Sequence, residues 1–146
     1  MRSVTVDGLI SFKTSMNCAR SAFGCSLSKQ LGIVIVAGGQ VNPLLGTSRC
    51  EKYDIQSDTW AELPSLNEAK CSTSLCIIAN IDGAGRNFVY SFGGLCRSKT
   101  SISMTDTIER LDLNTLISWT VLPIKMLEGG VDFGSIVRKC PDSLSR

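Results

Sequence analysis

Residues 31–64 read LGIVIVAGGQVNPLLGTSRCEKYDIQSDTWAELP. A β-branched apolar run ends in Gly38-Gly39, and Tyr53-Asp54, Trp60 and Leu63-Pro64 follow in that order. The same order returns over residues 88–123, with FVYSF before Gly93-Gly94, then Leu111-Asp112, Trp119 and Leu122-Pro123. Gly39 and Gly94 lie 55 residues apart, Trp60 and Trp119 lie 59 apart, and so do Pro64 and Pro123. A period in that range marks a repeat architecture in which each unit is one supersecondary module.

Working outward, Ser15-Met16-Asn17-Cys18-Ala19-Arg20 matches Ser65-Leu66-Asn67-Glu68-Ala69-Lys70 at an offset of 50. The N-terminal residues 1–17 therefore read as the tail of a preceding unit or an N-terminal strand. Residues 18–67 form the first whole unit and 68–126 the second. Residues 127–146 open a third unit and end in a tail. Short apolar or alternating runs bounded by Gly, Pro, Asn and Asp predict strands at 21–28, 31–37, 49–55 and 59–63. The second unit gives 71–79, 88–92, 106–113 and 118–122, and residues 130–137 can begin the third. Residues 40–47 and 95–105 read as loops, and Gln56-Ser57-Asp58 as a tight turn. No apolar stripe of helical period and helix length occurs. The expected class is all-β, with four short antiparallel strands per unit, the layout of a propeller blade.

Composition narrows the function. Fifteen basic and 13 acidic residues leave a net charge of +2, and no Lys/Arg cluster forms the stripe that a phosphate backbone requires. Nucleic acid is not an expected partner. The longest apolar run is strand-sized, far below the roughly 20 residues of a spanning helix, so no membrane partner is expected. Met1-Arg2 is not followed by an apolar signal region, and the start reads as cytoplasmic or as a cut piece. Seven cysteines without C-x-x-C spacing argue against a disulfide framework and a zinc site. Cys25, Cys71 and Cys76 fall in predicted strands, where a free thiol serves as a small apolar residue. The chain has no histidine, which removes an imidazole copper site and a histidine base from these residues. No P-loop, nucleophile elbow or G-x-G-x-x-G is present. Asp54 and Asp112 sit where an Asx turn explains them better than paired acid chemistry does. No cofactor, metal or catalytic residue is expected, and the chain reads as a non-enzyme.

The ordered set Gly38-Gly39, Tyr53-Asp54, Trp60 and Pro64, recurring as Gly93-Gly94, Leu111-Asp112, Trp119 and Pro123, resembles the kelch repeat. Arg20 and Lys70 match the basic residue that opens the next repeat, whereas Gly129 stands at the third such position. The resemblance covers residues 15–137 and implies a kelch-type β-propeller segment. Two whole blades fall short of the typical 4–8 of a closed ring. The propeller is therefore incomplete, and the chain reads as a fragment or as a protomer that self-associates to complete it. Gly38, Gly39, Tyr53, Asp54, Trp60, Gly93, Gly94, Asp112 and Trp119 are structural motif residues on this reading.

The loops between strands two and three and the linkers between blades share one end of a blade. Kelch modules use that face to grip a peptide of a partner protein. Carried over, the contacting residues are Arg20, Gln40, Asn42, Lys70, Arg97, Ser98 and Lys99, which suit an acidic or Ser/Thr-rich segment. The implied role is a protein-protein interaction module, an adaptor or scaffold. Kelch proteins of that kind serve as ubiquitin-ligase substrate adaptors or bind the cytoskeleton. The alternative is a piece of a kelch-type propeller enzyme, oxidase or hydrolase-like, whose catalytic residues lie in absent blades.

Overall fold

The computed structural model describes residues 2–4, 10–80, 83–97 and 100–131, with backbone alone for 2–4, 10 and 11. Every regular element among the described residues is a strand. A short antiparallel hairpin pairs β1 (Arg2–Val4) with β2 (Ile10–Phe12). Blade 1 follows, as β3 (Gly24–Ser28) and β4 (Ile33–Ala37), a small hairpin of β5 (Gln40–Asn42) and β6 (Leu45–Gly46), then β7 (Cys50–Asp54) and β8 (Thr59–Leu63). The short β9 (Lys70–Cys71) leads into blade 2, built from β10 (Ser74–Ile78), β11 (Phe88–Phe92), β14 (Thr107–Asp112) and β15 (Thr120–Lys125). Between its second and third strands lies a hairpin of β12 (Leu95–Arg97) and β13 (Ile102–Met104). The blades are four-stranded antiparallel sheets in the orders β3-β4-β7-β8 and β10-β11-β14-β15.

The period of two sorts side chains onto two faces of each blade. In blade 1 the register aligns Ile33 with Asp54, Ile35 with Lys52 and Ala37 with Cys50 on one face, called forward here. Val34 with Tyr53 and Val36 with Glu51 share the opposite, back face, which Cys25 and Trp60 join. In blade 2 the back face carries Leu75, Ile77, Val89 and Leu111, and the forward face Phe88, Tyr90, Phe92 and Arg110. The forward face of blade 1 and the back face of blade 2 make one buried core. Ile33, Ile35, Ala37, Cys50 and Leu63 pack there with Leu66, Leu75, Ile77, Val89, Leu111 and Trp119. Each fully buried Ile, Leu or Val contributes about 1.5–3 kcal/mol relative to leaving it in water.

The glycine pairs set where the next linker docks. Gly38 and Gly39 have φ of 65° and 109°, and Gly39 N donates to Lys70 O at 2.9 Å. A Cβ on Gly38 would stand 2.2 Å from that same carbonyl oxygen, so only glycine fits. Gly94, with φ of 121°, donates in the same way to Gly130 O at 2.9 Å. The chain thus leaves blade 2 as it left blade 1, at least as far as residue 131.

Several expectations meet a different outcome. Residues 40–47 and 95–105 contain the paired strands β5–β6 and β12–β13 rather than plain loops. The strand expected at 118–122 is Thr120–Lys125, because the segment from Asp112 to Trp119 holds one residue more than that from Asp54 to Trp60. Cys71 and Cys76 are buried, but Cys25, on the back face of blade 1 where it lines an apolar cavity, is exposed. The third-unit strand at 130–137 lies outside the described residues from 132 onward. No helix among the described residues is long and apolar enough to cross a membrane.

Candidate partner-binding face

The loop end is a continuous backbone construction. Ser21 N donates to Gln40 O at 3.0 Å and Gln40 N to Ser21 O at 2.8 Å, which ties the linker before blade 1 to β5. β12 pairs with β9, Leu95 opposite Cys71 and Cys96 opposite Lys70, which ties the hairpin of blade 2 to the linker between blades. β6 lies against β12, so the two hairpins stand side by side. Asn42 Oδ1 accepts from Leu44 N at 2.9 Å and braces the Asn42-Pro43 turn. Large apolar side chains are displayed on these hairpins: Val41, Leu44, Ile102 and Met104 are 46%, 62%, 58% and 61% exposed.

The residues expected to contact a partner divide into three groups. Asn42 is exposed and Arg97 half-buried, both on this end. Gln40 is also here, but its Nε2 donates to Cys71 Sγ at 3.4 Å and is partly committed to the scaffold. Ser98 and Lys99 lie outside the described residues. Arg20 and Lys70 are corrected: both side chains are fully buried and present no charge to a partner.

Arg20 and Lys70 instead close a clamp that recurs in each blade. Arg20 Nη2 meets Glu51 Oε1 at 2.6 Å, Arg20 Nη1 donates to Arg49 O at 2.9 Å, and Asn17 N donates to Glu51 Oε2 at 2.8 Å. Lys70 Nζ stands 2.8 Å from Glu109 Oε1, while Asn67 N and Nδ2 donate to Glu109 Oε2 at 2.9 and 2.7 Å. The Lys70 contact is a charge pair without an aligned hydrogen bond. An unpaired charge could not be buried this way, so each linker base requires its third-strand glutamate. The overlooked signal was an acid at the same place in both units, Glu51 three residues before Asp54 and Glu109 three before Asp112.

The tryptophans fasten the same linkers. Trp60 Nε1 donates to Thr14 O and Trp119 Nε1 to Pro64 O, each at 2.8 Å. Asp54 Oδ1 accepts from Gln56 N and Ser57 N, and Asp112 Oδ1 from Asn114 N, which makes both aspartates turn formers. Asp58 accepts from Tyr53 Oη at 2.5 Å and Thr14 N at 3.0 Å. These bonds hold the Asp58 carboxyl below its usual range. The bond to Asp58, with burial, pushes the Tyr53 phenol up to about 12. Burial raises the thiol of Cys96 and takes Cys50 to about 11, so both are protonated thiols at neutral pH. Among the described residues, no group of three or more His, Cys, Asp or Glu side chains could hold a metal ion.

Comparison with known proteins agrees with this architecture. Residues 23–67 match the family model described as the kelch motif, which falls on blade 1. No curated protein sequence matches the chain. Among solved structures, one titled "Structure of YjhT" superposes with a TM-score of 0.69 at 15% identity, over 86% of this chain. The chain spans 34% of that one's length. The chain carries a kelch motif and is folded as a kelch-type β-propeller segment.

Proposed function

We propose that this propeller segment is a non-catalytic protein-protein interaction module that presents its loop end to an extended segment of a partner. One observation carries the reading. Two hairpins from adjacent blades stand side by side with Val41, Leu44, Ile102 and Met104 turned to solvent. Rigid sheets hold such loops in a fixed relation, so specificity resides in their side chains while the scaffold stays constant. Within residues 40–47 and 95–105 the charged residues are Arg97 and Lys99, both basic. An apolar segment flanked by Asp or Glu matches that surface, its carboxylate meeting the Arg97 guanidinium. An adaptor of the ubiquitin system or a cytoskeletal binder would use this face in the same manner.

The test is to select peptides from a random displayed library on the chain and measure the affinity of a selected peptide by fluorescence anisotropy. Leu44→Asp and Met104→Asp are each expected to weaken binding at least about tenfold, the size of a lost buried anchor. Ile117→Asp, at the opposite end of blade 2, is expected to leave it unchanged. Selected peptides that bind all three variants equally would overturn the reading.

A further inference from the structure

The two linker clamps are built alike but satisfied differently. The backbone fixes which atoms correspond: Gly38 N donates to Arg49 O and Gly93 N to Thr107 O, each at 3.0 Å. In blade 1 the Arg20 guanidinium serves two acceptors at once, Nη2 on Glu51 Oε1 and Nη1 on Arg49 O, leaving its Nε without a partner. Blade 2 has Lys70 in that place, its ammonium 2.8 Å from Glu109 Oε1. A lysine ends in one nitrogen, one atom nearer the backbone than the paired nitrogens of arginine, and has no second nitrogen to set against Thr107 O. Lys70 Nζ and Glu109 Oε1 are both buried without an aligned hydrogen bond, on side chains that are 0% and 1% exposed. Buried polar groups of this kind are bonded to protein or to ordered water, and stranding them is costly.

We infer that blade 2 has a binding site for one internal water molecule, at the place that the second guanidinium nitrogen takes in blade 1. The water accepts from Lys70 Nζ and donates to Glu109 Oε1 and to Thr107 O. Each of those groups has capacity for it. The ammonium carries three donors. Glu109 Oε2 is taken by Asn67 N and Nδ2, which leaves Oε1 as the oxygen still to be served. Thr107 O accepts from Gly93 N and keeps a second lone pair. Three polar partners is the usual number for a buried water. The consequence is a difference between the linkers: the one before blade 1 is clamped by protein atoms alone, and the one between the blades through an exchangeable molecule. That second linker carries β9, the strand on which β12 of the loop end is registered.

The test is a high-resolution crystal structure of the unaltered chain, with oxygen-17 magnetic relaxation dispersion to count long-lived internal waters in solution. A water at about 2.7–3.2 Å from Lys70 Nζ, Glu109 Oε1 and Thr107 O is expected. Lys70→Arg is expected to keep the fold, to place Nη1 on Thr107 O as Arg20 places its own on Arg49 O, and to hold one long-lived water fewer. Lys70 Nζ bonded directly to Thr107 O, a site without water, or a Lys70→Arg chain with an unchanged water count would each overturn the inference. Loss of the far-UV circular dichroism sheet signal in Lys70→Arg would overturn it too, because the space assigned to the water would then be too small for the nitrogen it replaces.

Discussion

At the scale of single residues, buried charge pairs and turn carboxylates hold the linkers to the blades. Removing one partner of a buried pair leaves the other uncompensated, at a cost of about 3–5 kcal/mol. Lys70→Met and Glu109→Ala should each lose that much in urea denaturation. The double replacement Lys70→Met/Glu109→Leu should recover part of it, since neither charge is then stranded. Tyr53 and Asp58 shift in opposite directions, and the signs differ accordingly. The raised phenol favours the fold below the ordinary tyrosine value of about 10, and this contribution is lost as pH climbs towards 12. The lowered carboxyl favours the fold above about 4 and loses that contribution as pH falls through its depressed value. Melting temperature against pH should therefore fall at both extremes, and Tyr53→Phe should flatten the alkaline limb. The glycines, tryptophans and turn aspartates were legible because each has a local reason to be where it is. Arg20 and Lys70 were not. A lone base in a linker is indistinguishable from a solvated one until the third strand brings Glu51 or Glu109 against it.

At the scale of elements, strand patterns transfer to structure where alternation or apolarity is strong. The strands at Thr59–Leu63 and Phe88–Phe92 fall at the expected residues. The small hairpins escaped because β5 and β6 are two or three residues long and polar or turn-rich, too short for any period to show. What holds them is backbone pairing with a linker distant in sequence. Gly38→Ala tests that docking. The new Cβ would meet Lys70 O, and the left-handed backbone adds strain of its own. We expect a loss above about 2 kcal/mol in chemical denaturation. Gly32→Ala, with no neighbour within 4 Å but also at positive φ, should cost only the backbone strain of about 1–2 kcal/mol. Equal losses at the two glycines would show that the linker does not press on Gly38.

At the scale of the whole molecule, one core made from two blades is the central claim, and everything at the loop end depends on it. The hairpins are neighbours because their blades share that core, with β3 against β10. Gly24 allows this closeness, since a Cβ there would stand 2.6 Å from Thr73 O. The measurement that bears on the claim most directly is urea unfolding of two single-tryptophan variants, Trp60→Phe and Trp119→Phe. Trp119 is buried in the seam, and Trp60 lies on the far side of blade 1, so the two indoles sample opposite sides of one unit. If the blades share a core, the fluorescence transition in each variant coincides with loss of the far-UV circular dichroism signal, as one cooperative step. A fluorescence midpoint separated from the circular dichroism midpoint in either variant would mean that the blades unfold independently, and would contradict the account.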